Sequence, residues 1–412
     1  MQEVITRSGS DGDSAAAPAL FQSLPVSSQA RLRRSGRQET PDRARRRWGP
    51  ASSRSWRPAA RSGPRSAVRP PQPERVGRHR RTLGLVLGVT LVLAYSAHPA
   101  AYMQFSVDVS GKTVPLRWQT VPVRWYASGQ ATAADVTAPQ FQVAVARAFD
   151  TWQNVPTASV AFTFAGFTSA EPLDEDGISV LGFSNEPDMD RVLGATAFVV
   201  DDVTGELLES DIFFNSVFPW STSETGVTGR FDLQSVATHE IGHLVGLGHS
   251  ALGETDIRPT GGRRVIASGA VMFPIAMAAG TTANRTLQPD DVAGVSNAYP
   301  DAGFASRTGS ISGRVLLNGR PVFGAHVVAF DLQTGELVGA FSLTAQGEFV
   351  IAGLRPGAHI IRVEPLDDAD LESFFDESQS VRVDFRPVFY SRLVGVPTGG
   401  APPRFDVAVT PK

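Results

Sequence analysis

Eleven residues, His239 to His249, constrain this chain more than any other stretch. The segment THEIGHLVGLGHS places histidines at 239, 243 and 249, with Glu240 and Gly246 between them. On an α-helix, side chains four residues apart sit one above the other on the same face. His239 and His243 can therefore reach one ion together. A helix through LQSVATHEIGHLVG is expected, with Asp232 as N-cap and Ala237, Ile241 and Leu244 as its apolar stripe. Gly246 and Gly248 then stop it. Glycine at 246 accepts a positive φ, which turns the chain back and brings His249 in from outside the helix as a third ligand. Three protein ligands leave the fourth tetrahedral position open, the arrangement of a catalytic rather than a structural site. A lone histidine on an apolar face is usually a packed core residue, and HExxH alone is a moderate signal. Here three of the chain's 7 histidines share one window with Gly246 at the turning point, and that decides for metal binding.

Zinc suits imidazole ligands, acidifies a bound water to a pKa of about 7 and polarises a peptide carbonyl. Glu240 adjoins the first ligand, so its carboxylate can take a proton from the attacking water and return it to the leaving amine. Direct attack by water on a peptide bond follows, with no acyl-enzyme. The alternative from another class is a non-catalytic adhesion or binding protein with a vestigial zinc site. Glu240 argues against it, because a structural site has no use for a carboxylate beside an open position.

At 412 residues the chain exceeds what one core usually supports, so two or three domains are expected. Residues 1–81 carry 18 Arg, no Lys and 6 acidic residues, a net +12, while the whole chain sums to −3, so the remainder stands at −15. That acidic remainder disfavours nucleic acid and leaves proteins or peptides as partners. There is no cysteine, which excludes disulfides, thiolate ligands and thiol nucleophiles. Residues 1–81 are too Arg-, Ser- and Pro-rich to bury a core and are expected to be disordered, or to reflect a mis-assigned start. Residues 82–101 follow a basic cluster with an apolar run and then small residues, the pattern of a signal peptide. Uncleaved, the segment would be a membrane anchor with the catalytic part outside; either way, everything beyond about residue 102 is exported, to a secreted or extracellular location.

Between residues 104 and 215 the stretches MQFSVDVS and VPVRWYA read as strands around a turn at Gly111. A helix follows over PQFQVAVARAFDTWQNV, with Val143, Val145, Ala148, Phe149 and Trp152 on its apolar side. SVAFTFAG, GISVLGFS, TAFVV and ESDIFFN read as further strands, giving a helix on a sheet of about five strands. Beyond Pro300, short alternating runs punctuated by NGR, TGE, QGE and RPG turns read as an all-β sandwich over 308–412.

HEIGHLVGLGHS resembles the signature of the metzincin zinc peptidases, and specifically of the matrixins (matrix-metalloprotease-like peptidases), over residues 102–302. The resemblance implies an α+β catalytic domain with a twisted, mostly parallel sheet and an active-site helix. It places Met272 as the methionine beneath the three ligands, and Val271 to Ile275, with Pro274, as the wall of the pocket for the residue after the scissile bond. It gives Asp290 and Asp291 a role in supporting that turn, and makes TAFVV the edge strand that pairs with extended substrate. No histidine lies between His98 and His239, which removes the second, structural zinc of animal members, and the lack of cysteine removes their thiol latency. Asp174, Asp176, Asp201 and Asp202 are the candidate Ca2+ ligands. The C-terminal region resembles the carboxypeptidase regulatory-like, transthyretin-like sandwich, with carbohydrate, protein and cell surface as open choices of ligand. His326 and His359 within it read as packed side chains.

Overall fold

A computed structural model describes residues 102–412 apart from 130–132, 134, 187–188, 190, 260–261 and 376–378. The expectations for the Arg-rich 1–81 and the apolar 82–101 lie outside the described residues. Among the described residues, no helix is long and apolar enough to cross a membrane.

Ser106–Val109 (β1) and Lys112–Pro115 (β2) form an antiparallel hairpin around Gly111, whose φ of 78° the turn requires. The partner of MQFSVDVS is therefore β2, a strand the sequence reading did not include. VPVRWYA instead supplies Val123–Ser128 (β3) to the main sheet. That sheet also contains Phe162–Thr168 (β4), Ser179–Ser184 (β5), Gly194–Val200 (β6) and Leu207–Asn215 (β7), in the order β4-β3-β5-β7-β6. The pairs β3–β4, β3–β5 and β5–β7 are parallel, and β6 runs antiparallel to β7 at the edge.

Ala138–Gln153 (α1) begins at a capping box in which Thr137 and Gln140 bond reciprocally. Its buried face is Phe141, Ala144, Val145, Ala148, Phe149 and Trp152. Val143, expected on that face, is 47% exposed. Phe141 and Ala144 fix the orientation of the helix, and at 100° per residue position 143 falls outside the arc they define. Phe149 stacks on Trp125 of β3 at 4.7 Å, so α1 is held to the sheet by aromatic contact.

Two further five-stranded sheets follow. One is built on Gly309–Leu317 (β10), which pairs with Glu348–Leu354 (β13) and runs parallel to Arg404–Pro411 (β15). The other is built on His326–Asp331 (β11), between Leu337–Phe341 (β12) and Gly357–Glu364 (β14). Along β10 every second residue is buried, beginning with Gly309, and Ile311, Val315 and Leu317 share one apolar cluster with Val327, Ala329, Ile361 and Val363 of the second sheet. The shared cluster makes these two sheets a sandwich. Between main sheet and sandwich lie the hairpin of Gly253–Ile257 (β8) with Arg263–Ser268 (β9), and the helix Pro289–Ala298 (α3).

Asp211 of β7 is buried, and its carboxylate accepts the N–H groups of Leu173 at 2.7 Å and Val180 at 2.8 Å, tying the preceding loop to the sheet. Burial pushes its pKa up to about 8, against the pull of those two bonds. The native chain thus keeps a proton that the unfolded chain releases from about pH 4 upward, and this contribution to stability is lost as pH rises through about 8. Asp211→Asn is expected to lower stability at pH 5 by ~1–3 kcal/mol, because an amide cannot accept both bonds, and to flatten its decline between pH 5 and 8. Urea unfolding at the two pH values checks this; an unchanged slope would exonerate Asp211.

Candidate metal centre

The helix bearing the motif spans Leu233–Leu244 (α2). Asp232 caps it by accepting the Ser235 N–H at 2.9 Å, and the same carboxylate pairs with the largely buried Arg285. Trp152 of α1 donates its indole N–H to the Thr238 carbonyl at 2.8 Å, which fixes the helix one residue before its first ligand. Close packing of α1 on α2 depends on Gly242. A Cβ there would lie 2.2 Å from the Met272 sulfur and 2.8 Å from the Trp152 ring. The helix ends in a double turn: Gly246 N–H bonds to His243 O at 2.7 Å and Leu247 N–H to Gly242 O at 3.0 Å. Gly246 has φ of 91°, and a Cβ would press within 2.5 Å of the Leu116 carbonyl, so both conformation and space require glycine.

This reversal delivers His249 to the other two ligands. His239 Nε2 lies 3.1 Å from His243 Nε2, which lies 3.2 Å from His249 Nε2. Nitrogens around a tetrahedral zinc at ~2.05 Å would be about 3.3 Å apart, so these two edges match the ion, and the three ligand nitrogens all lie within 4.8 Å of one another. Each Nδ1 faces a carbonyl oxygen: Val271 at 2.8 Å for His239, Leu247 at 2.8 Å for His243 and Ser373 at 2.6 Å for His249. A carbonyl only accepts, so each Nδ1 carries the proton and each Nε2 presents a lone pair. Three lone pairs at this separation repel one another, and a cation among them converts repulsion into ligation.

Burial holds all three imidazoles neutral. It drives the pKa of His239 and His243 well below the ordinary value, helped by neighbouring imidazoles, and that of His249 to about 4. Neutral imidazole is the ligating form. Among the described residues this is the one group of three or more such side chains able to share an ion. Asp174, Asp176, Asp201 and Asp202 form no such group; Asp201 instead accepts the N–H groups of Val203 and Thr204 in a local turn.

Residues 117–300 match the family model described as Matrixin. This stretch is a matrixin-family domain. Over 171 residues the chain is 30% identical to Metalloendoproteinase 1 of Glycine max, covering 39% of this chain and 45% of that protein. Over 122 residues it is 38% identical to Metalloendoproteinase 2-MMP of Arabidopsis thaliana, covering 28% of this chain and 29% of that protein. The chain thus spans less than half the length of these curated relatives. His239, His243 and His249 are the zinc-binding cluster of the matrixin domain.

Glu240 is fully buried. Its Oε2 accepts the Thr196 hydroxyl at 2.7 Å, while Oε1 has no hydrogen-bond partner among the described residues. Burial raises its pKa to about 8, and the Thr196 bond opposes the rise. A dication at the adjacent triad would oppose it further. Thr196 belongs to β6, so the edge strand both borders the matrixin site and orients this carboxylate. Sequence reasoning missed Thr196; TAFVV identified a strand, but nothing local says which hydroxyl meets Glu240.

Met272 lies buried beneath α2, and Pro274 is buried two residues on. Asp291 accepts the N–H groups of Val271 at 2.8 Å and Met272 at 3.1 Å, and the Val271 carbonyl in turn holds His239. Asp290 accepts the Ser250 hydroxyl at 2.6 Å, next to His249. Ser373 was likewise absent from the sequence reading, and Ser250 entered it only as the last residue of the HEIGHLVGLGHS signature, without a partner assigned.

Gly242→Ala is expected to destabilise the domain by ~1–3 kcal/mol through overpacking against Met272 and Trp152. Thermal unfolding of the zinc-free protein measures it. A cost within error would mean that the methionine and tryptophan yield freely.

Proposed function

We propose that this protein is an exported zinc endopeptidase in which Glu240 is the general base. The observation that carries the reading is the pairing of the three-histidine cluster with a buried carboxylate that has one oxygen held by Thr196 and the other without a hydrogen-bond partner among the described residues. Zinc at the triad supplies Lewis acidity toward a peptide carbonyl and lowers the pKa of water near it. Glu240 Oε1 takes the proton of the attacking water and passes it to the departing amine nitrogen. Thr196 keeps the carboxylate in one rotamer throughout. Strand β6 lies at the sheet edge, where its outer side can pair with an extended substrate, while Val271 to Ile275 wall the pocket for the residue after the cleaved bond. Gly246, Met272 and Pro274 support the site.

Residues 102–302 act in this reading as the peptidase and 308–412 as a carboxypeptidase regulatory-like sandwich. Export rests on the composition of residues 82–101. An anchored form is the alternative, and N-terminal sequencing of the exported protein separates the two.

Glu240→Ala is expected to keep zinc and lose ~10²–10⁴-fold or more of the peptidase rate on a peptide library. Undiminished turnover would remove Glu240 as the base. A chelator is expected to abolish cleavage and added zinc to restore it; cleavage that persists in metal-free protein would sink the zinc mechanism.

A further inference from the structure

The three ligands take their supporting carbonyls from different parts of the chain. Val271 and Leu247 lie within the matrixin domain, but Ser373, which holds His249, follows β14 of the sandwich and lies outside the matched stretch. We propose that the strap 366–375 is a working part of the zinc centre, its Ser373 carbonyl setting the tautomer and ring orientation of His249. The C-terminal sheets would then supply one third of the support of the ligand set and not merely an attached module.

The strap is built to hold that carbonyl in place. A tight turn over Leu371–Ser373 directs it, with the Ser373 N–H bonded to Asp370 O at 3.0 Å and the Phe374 N–H to Leu371 O at 2.9 Å. Phe374, 1% exposed, anchors the turn from below, its ring 6.2 Å from that of His249 and 5.6 Å from that of Phe341. Phe374 and Phe375 share one apolar cluster with Phe273 and Ile275, which follow Met272, and with Phe341 and Leu343 of the sandwich side. The upstream half is fastened to hairpin β8–β9. The Thr255 N–H donates to the Asp368 carboxylate at 2.9 Å, the Thr255 hydroxyl to the Asp368 carbonyl at 2.7 Å, and Arg263 to the Asp367 carbonyl at 2.8 Å. The hairpin begins four residues after His249, so the chain leaving the third ligand grips the segment that orients it.

A metal-bound imidazole whose second nitrogen lacks a fixed acceptor can turn about its Cβ–Cγ bond, and loss of such a partner typically costs 10–100-fold in metal affinity. This inference rests on the zinc cluster and not on peptidase activity. A chain that binds zinc as described yet cleaves nothing would overturn the peptidase reading and leave this one standing.

Two measurements on the full chain test it. In zinc-loaded wild-type protein with 15N-labelled histidine, His249 is expected to coordinate through Nε2 and to carry a slowly exchanging Nδ1 proton close to the Phe374 ring. A freely exchanging proton, or coordination through Nδ1, would overturn the proposal without any substitution. Phe374→Ala is expected to raise the zinc dissociation constant ~10–100-fold in chelator competition, with the Nδ1 proton becoming labile. Phe374→Leu, which keeps an apolar anchor, is expected to recover most of the affinity. Phe389→Ala, at an exposed aromatic of the sandwich, should leave it unchanged. A purely structural role for Phe374 would lower thermal stability while zinc affinity stayed at the wild-type value, and folded Phe374→Ala protein with that behaviour would refute the assignment.

Discussion

Three neutral imidazoles pointing their lone pairs at one spot inside a protein is an arrangement that opposes itself, and much of this structure counters that opposition. Each ring is prevented from turning away by an Nδ1–H bond to a main-chain carbonyl, and the three carbonyls belong to Val271, Leu247 and Ser373. A main-chain acceptor cannot swing aside as a side chain can. The constraint therefore passes from the ligands to the backbone that carries the acceptors. Gly246 makes the Leu247 carbonyl available by closing the double turn, Asp291 holds the Val271 segment by its N–H groups, and the Leu371–Ser373 turn presents the third.

The position of the aspartates follows from helix electrostatics. Asp290 and Asp291 lie in the first turn of α3, behind Pro289, where the positive end of the helix dipole and unsatisfied N–H groups favour a carboxylate. Asp291 accepts the Gln288 N–H of its own helix start as well as the two N–H groups of the methionine turn. Burial still pushes its pKa to about 6 and that of Asp290 to about 8. Both carboxyls are thus held in a costly environment by the bonds they accept, and those bonds fasten α3 to the segments on either side of the zinc cluster.

What could be read from the sequence divides along the distance between partners. Helix α2, its cap at Asp232, its end at Gly246 and the two ligands one turn apart were legible because each depends on residues within a few positions. The parallel strands of the main sheet showed as apolar runs, and the sandwich through alternation and turn residues. Local pattern gave out where several weak signals competed. The β2 strand KTVP has two apolar residues and one lysine, too little to stand out, and Val143 fits a helical stripe whose angle only tertiary packing settles. Thr196 meeting Glu240, and Ser373 meeting His249 from 124 residues away, leave no mark on spacing at all. A main-chain acceptor is the least legible of all, because any residue could supply it.

The same long-range contacts bear on how the C-terminal sheets should be regarded. A tethered accessory module would meet its neighbour through a polar, hydrated surface. Here Asp290 accepts the Gly339 N–H of strand β12 at 2.7 Å in a buried position, Leu252 and Ala270 pack with Val328, and Gly353 abuts Ala293 of α3 so closely that a Cβ would lie 2.9 Å from that alanine's own. Separating the two parts would strip a buried carboxylate of one of its donors and expose the aromatic cluster around Phe273 and Phe374 to water. The matrixin domain and the sandwich are therefore joined by the kind of contact found inside a single core. The strap 366–375 is where this joint reaches the metal cluster, through the Ser373 carbonyl on His249.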